Sequence, residues 1–98
     1  MFEKLKQFKD LRDKAKTIQT ALATEKVEGS GSWGKVKIEM DGNMSVLAVT
    51  VDPTMLAAAE LTKLQDGIKE AVNDATKKAQ QKAMTKMREM GGLDGIGA

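Results

Sequence analysis

The chain has 98 residues, of which 41% are hydrophobic, and its 16 basic and 14 acidic side chains give a net charge of +2. This length suits one small domain, and the absence of cysteine and histidine removes disulfides, the usual zinc ligands and the commonest general base. We therefore expect no enzyme, no metal and no cofactor. No apolar run is long enough to span a membrane, so we expect a cytoplasmic protein.

The first predicted element is a long amphipathic helix over residues 2–25. Its apolar residues recur three and four positions apart, and they are Phe8, Leu11, Ala15, Ile18 and Leu22. Such a narrow seam is typical of helices that pair with another helix. No glycine or proline comes before Gly29, so nothing in the sequence interrupts this helix.

The middle of the chain changes to a period of two. "KVKIEM" at 35–40 and "MSVLAVTV" at 44–51 predict two strands, joined by "DGN" at 41–43, where Gly42 and Asn43 tolerate a positive φ. The preceding "VEGSGSWG" predicts a shorter strand with Trp33 as an anchor. Asp52-Pro53 then ends the sheet, because proline lacks a ladder donor. We expect an antiparallel meander of two to three strands.

A second long helix is predicted from Thr62 to Met90, with a capping box at Thr62–Gln65. Gly67 inside this helix suggests close packing against a strand. Gly91 and Gly92 are expected to end it. The sequence therefore predicts an α+β fold, in which residues 1–90 form a single α-β-α domain and residues 91–98 form a flexible glycine-rich tail.

The lengths of these elements predict a homodimer. The two helices should extend about 36 and 42 Å, whereas a strand of the sheet covers only about 25 Å. Both apolar seams therefore outrun the sheet, and a second copy of the chain is the simplest cover. The predicted interface residues are Phe8, Leu11, Ile18, Leu22, Ile68, Val72 and Met87. The alternative is a monomeric hairpin in which the two helices cover each other.

Several motifs, taken in order, resemble the YbaB/EbfC family of bacterial nucleoid-associated proteins. They are G-x-V-x-I from Gly34, V-x-V-D-P at 49–53 and "AVNDA" at 71–75. The resemblance implies an intertwined homodimer with projecting helical arms, which binds double-stranded DNA in the nucleoid of the cytoplasm without chemistry. Two features depart from the family pattern: Gly67 stands where a large apolar residue is usual, and the tail lacks proline and phenylalanine.

The charges are distributed as DNA binding requires. Residues 1–26 hold seven basic and four acidic side chains, and residues 75–88 hold five basic and no acidic ones. Localised positive charge releases counterions from DNA phosphates, which favours contacts with little sequence specificity. The candidate DNA-binding residues are Lys77, Lys78, Lys82, Lys86, Arg88, Lys4, Lys6, Lys9 and Arg12. The alternative is that these lysines are simply solvated, with those near the end of the second helix complementing its dipole.

A different function is also compatible with two long helical seams. Helical arms can clamp a protein partner, such as a DNA-repair or replication factor, as readily as a duplex. Nucleotide binding by "GSGSWG" is disfavoured, because the segment lacks the Lys-Ser/Thr of a phosphate loop. The two hypotheses left are a DNA-binding dimer and an interaction protein.

Overall fold

A computed structural model describes the backbone of residues 2–91 and the side chains from Lys6 onward. The elements in chain order are α1 (Phe2–Ala23), β1 (Lys26–Gly31), β2 (Val36–Asp41), β3 (Val46–Val51) and α2 (Leu61–Glu89). This confirms the predicted α+β order with three strands. Gly91 has a φ of 79° and donates its N–H to the carbonyl of Arg88, so it ends α2 as predicted. The rest of the predicted tail lies outside the described residues.

The three strands form one antiparallel sheet in the order β1-β2-β3. One face of β2 supplies the core, because Val36, Ile38 and Met40 pack against an alanine row of α2 that consists of Ala71, Ala75 and Ala79. The opposite face carries charged side chains that form loose pairs across the strands, such as Lys37 with Glu28 at 3.9 Å. The sheet therefore has a core-facing side, which α2 covers at β2, and a charged side that faces solvent.

Glycines set the distance between α2 and the sheet. A Cβ at Gly29 would overlap the carbonyl oxygen of Ala71 and the backbone nitrogen of Ala75, and one at Gly31 would overlap the carbonyl oxygen of Gly67. A Cβ at Gly67 would in turn meet the side chains of Ser32 and Val36. The suggestion that Gly67 marks close packing is confirmed, with glycines present on both sides of the contact.

The turn between β2 and β3 uses its residues differently from the prediction. The positive φ falls on Met44, at 64°, and not on Gly42 or Asn43. Gly42 is required for space, since a Cβ there would lie 2.8 Å from the carbonyl oxygen of Leu22. The buried Asp41 carboxylate organises the turn by accepting the N–H of Asn43 at 2.9 Å and that of Ser45 at 3.0 Å.

Two local predictions are wrong. The capping box fails because α2 already begins at Leu61, after a 3₁₀ turn at Ala58–Glu60, and no side chain caps it. Trp33 does not anchor the sheet within this subunit, since it is fully exposed. It lies in a tight turn in which Ser32, Trp33 and Gly34 all have positive φ.

The last turns of α1 are attached to the sheet, while the rest of the helix extends away. Gly42 donates its N–H to the carbonyl of Leu22 at 3.0 Å, and the Asn43 amide donates to the carbonyl of Gln19 at 2.9 Å. Every side chain from Lys6 to Thr17 is exposed. The subunit measures 64 × 22 × 18 Å with a radius of gyration of 18.4 Å, whereas a compact chain of this size would have one near 13 Å.

Candidate nucleic-acid interface

The extended part of α1 carries basic side chains on a face separate from its apolar seam. Lys9, Arg12 and Lys16 are spaced three and four apart, which places them within about 60° around the helix. They and Lys6 are exposed, and their charged groups form no ion pair or hydrogen bond with another described residue. The side chain of Lys4 lies outside the described residues. These four cations can therefore meet an anion without first breaking an ion pair within the described part of the chain.

The basic stretch of α2 is divided between exposed and engaged side chains. Lys77 and Arg88 are exposed and form no ion pair within the described part of the chain. Lys78 turns toward β1, where its Nζ donates to the carbonyl oxygen of Glu28 at 2.9 Å and to the Asp74 carboxylate at 3.1 Å. The structure thus separates Lys78 from its sequence neighbour Lys77.

Lys82 and Lys86 share one carboxylate, that of Glu25 at the junction between α1 and β1. The Nζ–O distances are 3.9 Å for Lys82 and 3.4 Å for Lys86. Sequence reasoning counted residues 75–88 alone and missed this acid, which approaches only through the fold. The positive field of α2 is therefore weaker than its sequence indicates.

The predicted interface residues become progressively more covered along α1. Phe8 and Leu11 are exposed, Ile18 is half-buried, and Leu22 is buried against Gly42 of its own chain. On α2, the exposed or half-buried members are Ile68, Val72 and Met87. All but Leu22 thus retain apolar surface that a partner could cover.

Residues 1–93 match the YbaB/EbfC DNA-binding family. The chain belongs to this family. A nucleoid-associated protein of Rhodopseudomonas palustris is 39% identical over 90 residues, covering 91% of this chain and 85% of that protein. One of Dictyoglomus turgidum is 38% identical over 95 residues, covering 97% and 89%.

A solved structure supports the fold of this YbaB/EbfC chain. The crystal structure of an uncharacterized protein from Helicobacter pylori superposes with a TM-score of 0.65, covering 85% of this chain and 96% of that one. At 14% identity the likeness concerns the fold alone. It agrees with the α+β fold that the sequence predicts for the single chain.

Lys16 is a candidate that the sequence prediction for this YbaB/EbfC chain omitted. It lies one turn beyond Arg12 on the same exposed face of α1. Its spacing of seven from Lys9 was a usable signal, since residues seven apart share a face of a helix. The exposed basic residues on this face of α1 are therefore Lys6, Lys9, Arg12 and Lys16.

Within the described residues, no group of three or more His, Cys, Asp or Glu side chains could hold a metal ion. No helix in residues 2–91 has the length and apolar character that crossing a bilayer requires.

The contact between α2 and β1 predicts a measurable pH effect. The backbone N–H of Ser30, and after it Lys78, lowers the pKa of the Asp74 carboxyl. A carboxyl with a lowered pKa in the folded state stabilises the fold above its unfolded pKa, and that contribution is lost as pH falls through the folded pKa. NMR titration should give the Asp74 carboxyl a lower pKa than that of an ordinary aspartate. In Lys78→Ala the pKa of Asp74 should rise only part of the way, because the larger cause remains; an unchanged pKa would contradict a contribution from Lys78.

Proposed function

We propose that this protein is a nucleoid-associated protein that binds double-stranded DNA as a homodimer, mainly through phosphate contacts with little sequence specificity. The family and the nucleoid-associated relatives support a role on DNA. The observation that carries the proposal is the exposed basic face of α1, whose cations are not held by acids of the described chain. Such cations gain counterion-release free energy on meeting phosphates without losing an internal ion pair.

The two helices differ in their proposed contributions. On α1 the phosphate contacts are Lys4, Lys6, Lys9, Arg12 and Lys16. On α2, Lys77 and Arg88 contact phosphates directly, whereas Lys82 and Lys86 exchange the Glu25 carboxylate for phosphate oxygens. Lys78 contributes least, because its ammonium group already bonds β1 and Asp74.

An uncovered apolar trough beside α2 supports the homodimer. Residues directly opposite each other on β2 and β3 point to the same face, and the pairs are Val36–Val51, Ile38–Val49 and Met40–Val46. The β2 members are buried under α2, whereas Val46 and Val49 are more than half exposed, at 53% and 58%. Most of the β3 part of the core-facing side of the sheet is therefore bare.

The flank of α2 next to β3 continues this trough. Glu70, Asp74 and Lys78 contact β1, so they occupy the outer flank of the helix. Helical geometry then places Ile68 and Val72 on the opposite flank, above β3. Both are partly exposed. A second subunit seated in the trough would cover strand and helix together, which a single chain leaves open.

Dimerisation also accounts for the apolar seam of α1. Phe8 and Leu11 lie beyond the attachment of α1 to the sheet and are 72% and 49% exposed. In a dimer they can pack on the partner while the basic face stays in water. Each basic face then occurs twice, and two linked sites bind a duplex more tightly than either alone.

Unrelated duplexes titrated at several salt concentrations test the proposal directly. We expect similar affinity for all sequences and a steep loss of affinity with salt, because the slope reports released counterions. Absence of binding to any duplex at low salt would overturn the proposal. It would favour the alternative in which the helical arms clamp a protein partner.

Neutralising two cations of α1 should weaken binding in a defined way. Lys9→Gln with Arg12→Gln is expected to lower duplex affinity at least about tenfold, since each charge-assisted hydrogen bond contributes on the order of 1.5 kcal/mol. The salt slope should fall by about 0.9 for each phosphate that the variant no longer neutralises. Fluorescence anisotropy with a labelled duplex measures both quantities.

The matched control removes the same charge from the body of the subunit. Lys35→Gln with Lys37→Gln changes two exposed lysines, one just before β2 and one within it. If binding responded only to net charge, both double variants would weaken it equally. Equal effects would therefore contradict the assignment to α1.

A further inference from the structure

The sheet has two edges, and side chains of α2 hydrogen-bond to only one of them within the described residues. β1 and β3 are the outer strands, and an open edge can pair with a strand of another molecule. In an antiparallel sheet, alternate residues of an edge strand turn their N–H and C=O outward. On the β1 side these are Glu28, Ser30 and, just past the strand, Ser32.

Three side chains of α2, one helical turn apart, bind these outward groups. The Asp74 carboxylate accepts the N–H of Ser30 at 3.1 Å, and the Glu70 carboxylate accepts that of Ser32 at 3.1 Å. Lys78 donates to the carbonyl oxygen of Glu28 at 2.9 Å. The two carboxylates and the ammonium group thus occupy backbone N–H and C=O groups that an incoming strand would otherwise bond.

The glycine contact makes this reach possible. Gly29 and Gly31 of β1 let α2 approach so closely that an added Cβ at either position would overlap the helix backbone. At this separation the short Asp74 side chain spans from helix to strand edge. Lys78 is also bonded to Asp74 at 3.1 Å, which holds the row together.

The β3 edge has no comparable cover. Within residues 6–91, no side chain hydrogen-bonds to the backbone of Val46–Val51. All its residues except Val51 are exposed. The two edges therefore differ in side-chain cover as well as in position.

We propose that Glu70, Asp74 and Lys78 are positioning residues that close the β1 edge, so that strand pairing with a second copy of this chain is restricted to β3. Strand pairing at β3 rests on the proposed homodimer, whereas closure of the β1 edge does not. The device limits assembly: a subunit with two open edges could pair at both and propagate.

The test compares the triple variant E70A/D74A/K78A with the wild type. The three sites are exposed or half-exposed on the helix surface, and alanine favours helix, so the variant is expected to fold. We expect its mass by light scattering to at least double relative to wild type and to rise with concentration. The amides of Ser30 and Ser32 should also exchange faster, roughly fivefold for the removal of one hydrogen bond.

Two controls separate edge closure from simple destabilisation. D66A/K77A/E89A makes the same charge change elsewhere on α2 and should keep the wild-type mass. E70Q/D74N retains carbonyl oxygens for the two serine amides, so it should also keep that mass. If the triple variant has a much lower melting temperature than the wild type, Asp74→Ala is tested in its place, with Asp74→Asn as its control.

An unchanged mass in the triple variant would overturn the proposal, whether or not the amides exchange faster. Growth of the glutamine-asparagine variant to the same extent would overturn it too, since the edge would then not depend on these acceptors. A wild type with the mass of one chain would refute the homodimer only. Edge closure would still be tested by the variant's mass relative to that wild type.

Discussion

Replacing Val49 by lysine is expected to leave the protein at the mass of a single chain, 10.6 kDa, where the proposed homodimer has twice that mass. Val49 lies in the middle of the bare apolar trough, opposite the buried Ile38. In the proposed dimer a lysine there would be removed from water without a partner, which costs several kcal/mol. Sedimentation or light scattering at micromolar concentration measures the change.

The same substitution at the next residue is the matched control. Thr50 is opposite Lys37, on the charged face of the sheet, and it is exposed to solvent as Val49 is. Thr50→Lys should therefore keep the wild-type mass. A wild type with the mass of one chain, or a Val49→Lys variant that still has twice that mass, would contradict the proposed interface.

The Val49→Lys variant should also bind DNA more weakly if it no longer forms a dimer. Its α1 cations are unchanged and its net charge is higher, so a simple charge effect would strengthen binding. We expect weaker binding instead, because each duplex then meets one basic face instead of two linked ones. The sign of the change thus distinguishes avidity from net charge.

The order and type of the elements could be predicted from periodicity. The shift from spacings of three and four to alternation, and back, located both helices and the sheet, because side-chain periodicity is a local property. Gly67 also indicated its close contact. Element ends were less predictable, as α1 stops at Ala23 and α2 starts at Leu61 without a side-chain cap.

The pairing of charges could not be predicted in this way. Glu25 reaches Lys82 and Lys86 only because α1 ends beside α2, and Asp74 meets Ser30 across 44 positions of sequence. A count along the chain treats all five cations of residues 75–88 alike. The fold divides them, and it leaves the less one-sided α1 with the more accessible positive face.

Gly29→Ala is expected to destabilise the fold strongly. Its Cβ would overlap backbone atoms of Ala71 and Ala75, which cannot move unless the whole helix shifts from the sheet. Overpacking of this kind costs about 3 kcal/mol or more when no flexible side chain can yield. The melting temperature should fall by more than about 10 °C. Circular dichroism at fixed protein concentration measures this, since binding to a second subunit makes melting concentration-dependent.

Ser30→Ala is the control, because Ser30 is adjacent and exposed and its N–H can still reach Asp74. It should change stability by less than about 0.5 kcal/mol. If Gly29→Ala has the same melting temperature as Ser30→Ala, α2 can shift away from the sheet at little cost. In that case the close approach would not be needed for Asp74 to reach the strand edge.

If Gly29→Ala instead folds at low temperature with α2 displaced, the Ser30 amide should exchange faster. That outcome would show that the glycine contact and the closure of β1 depend on the same helix position.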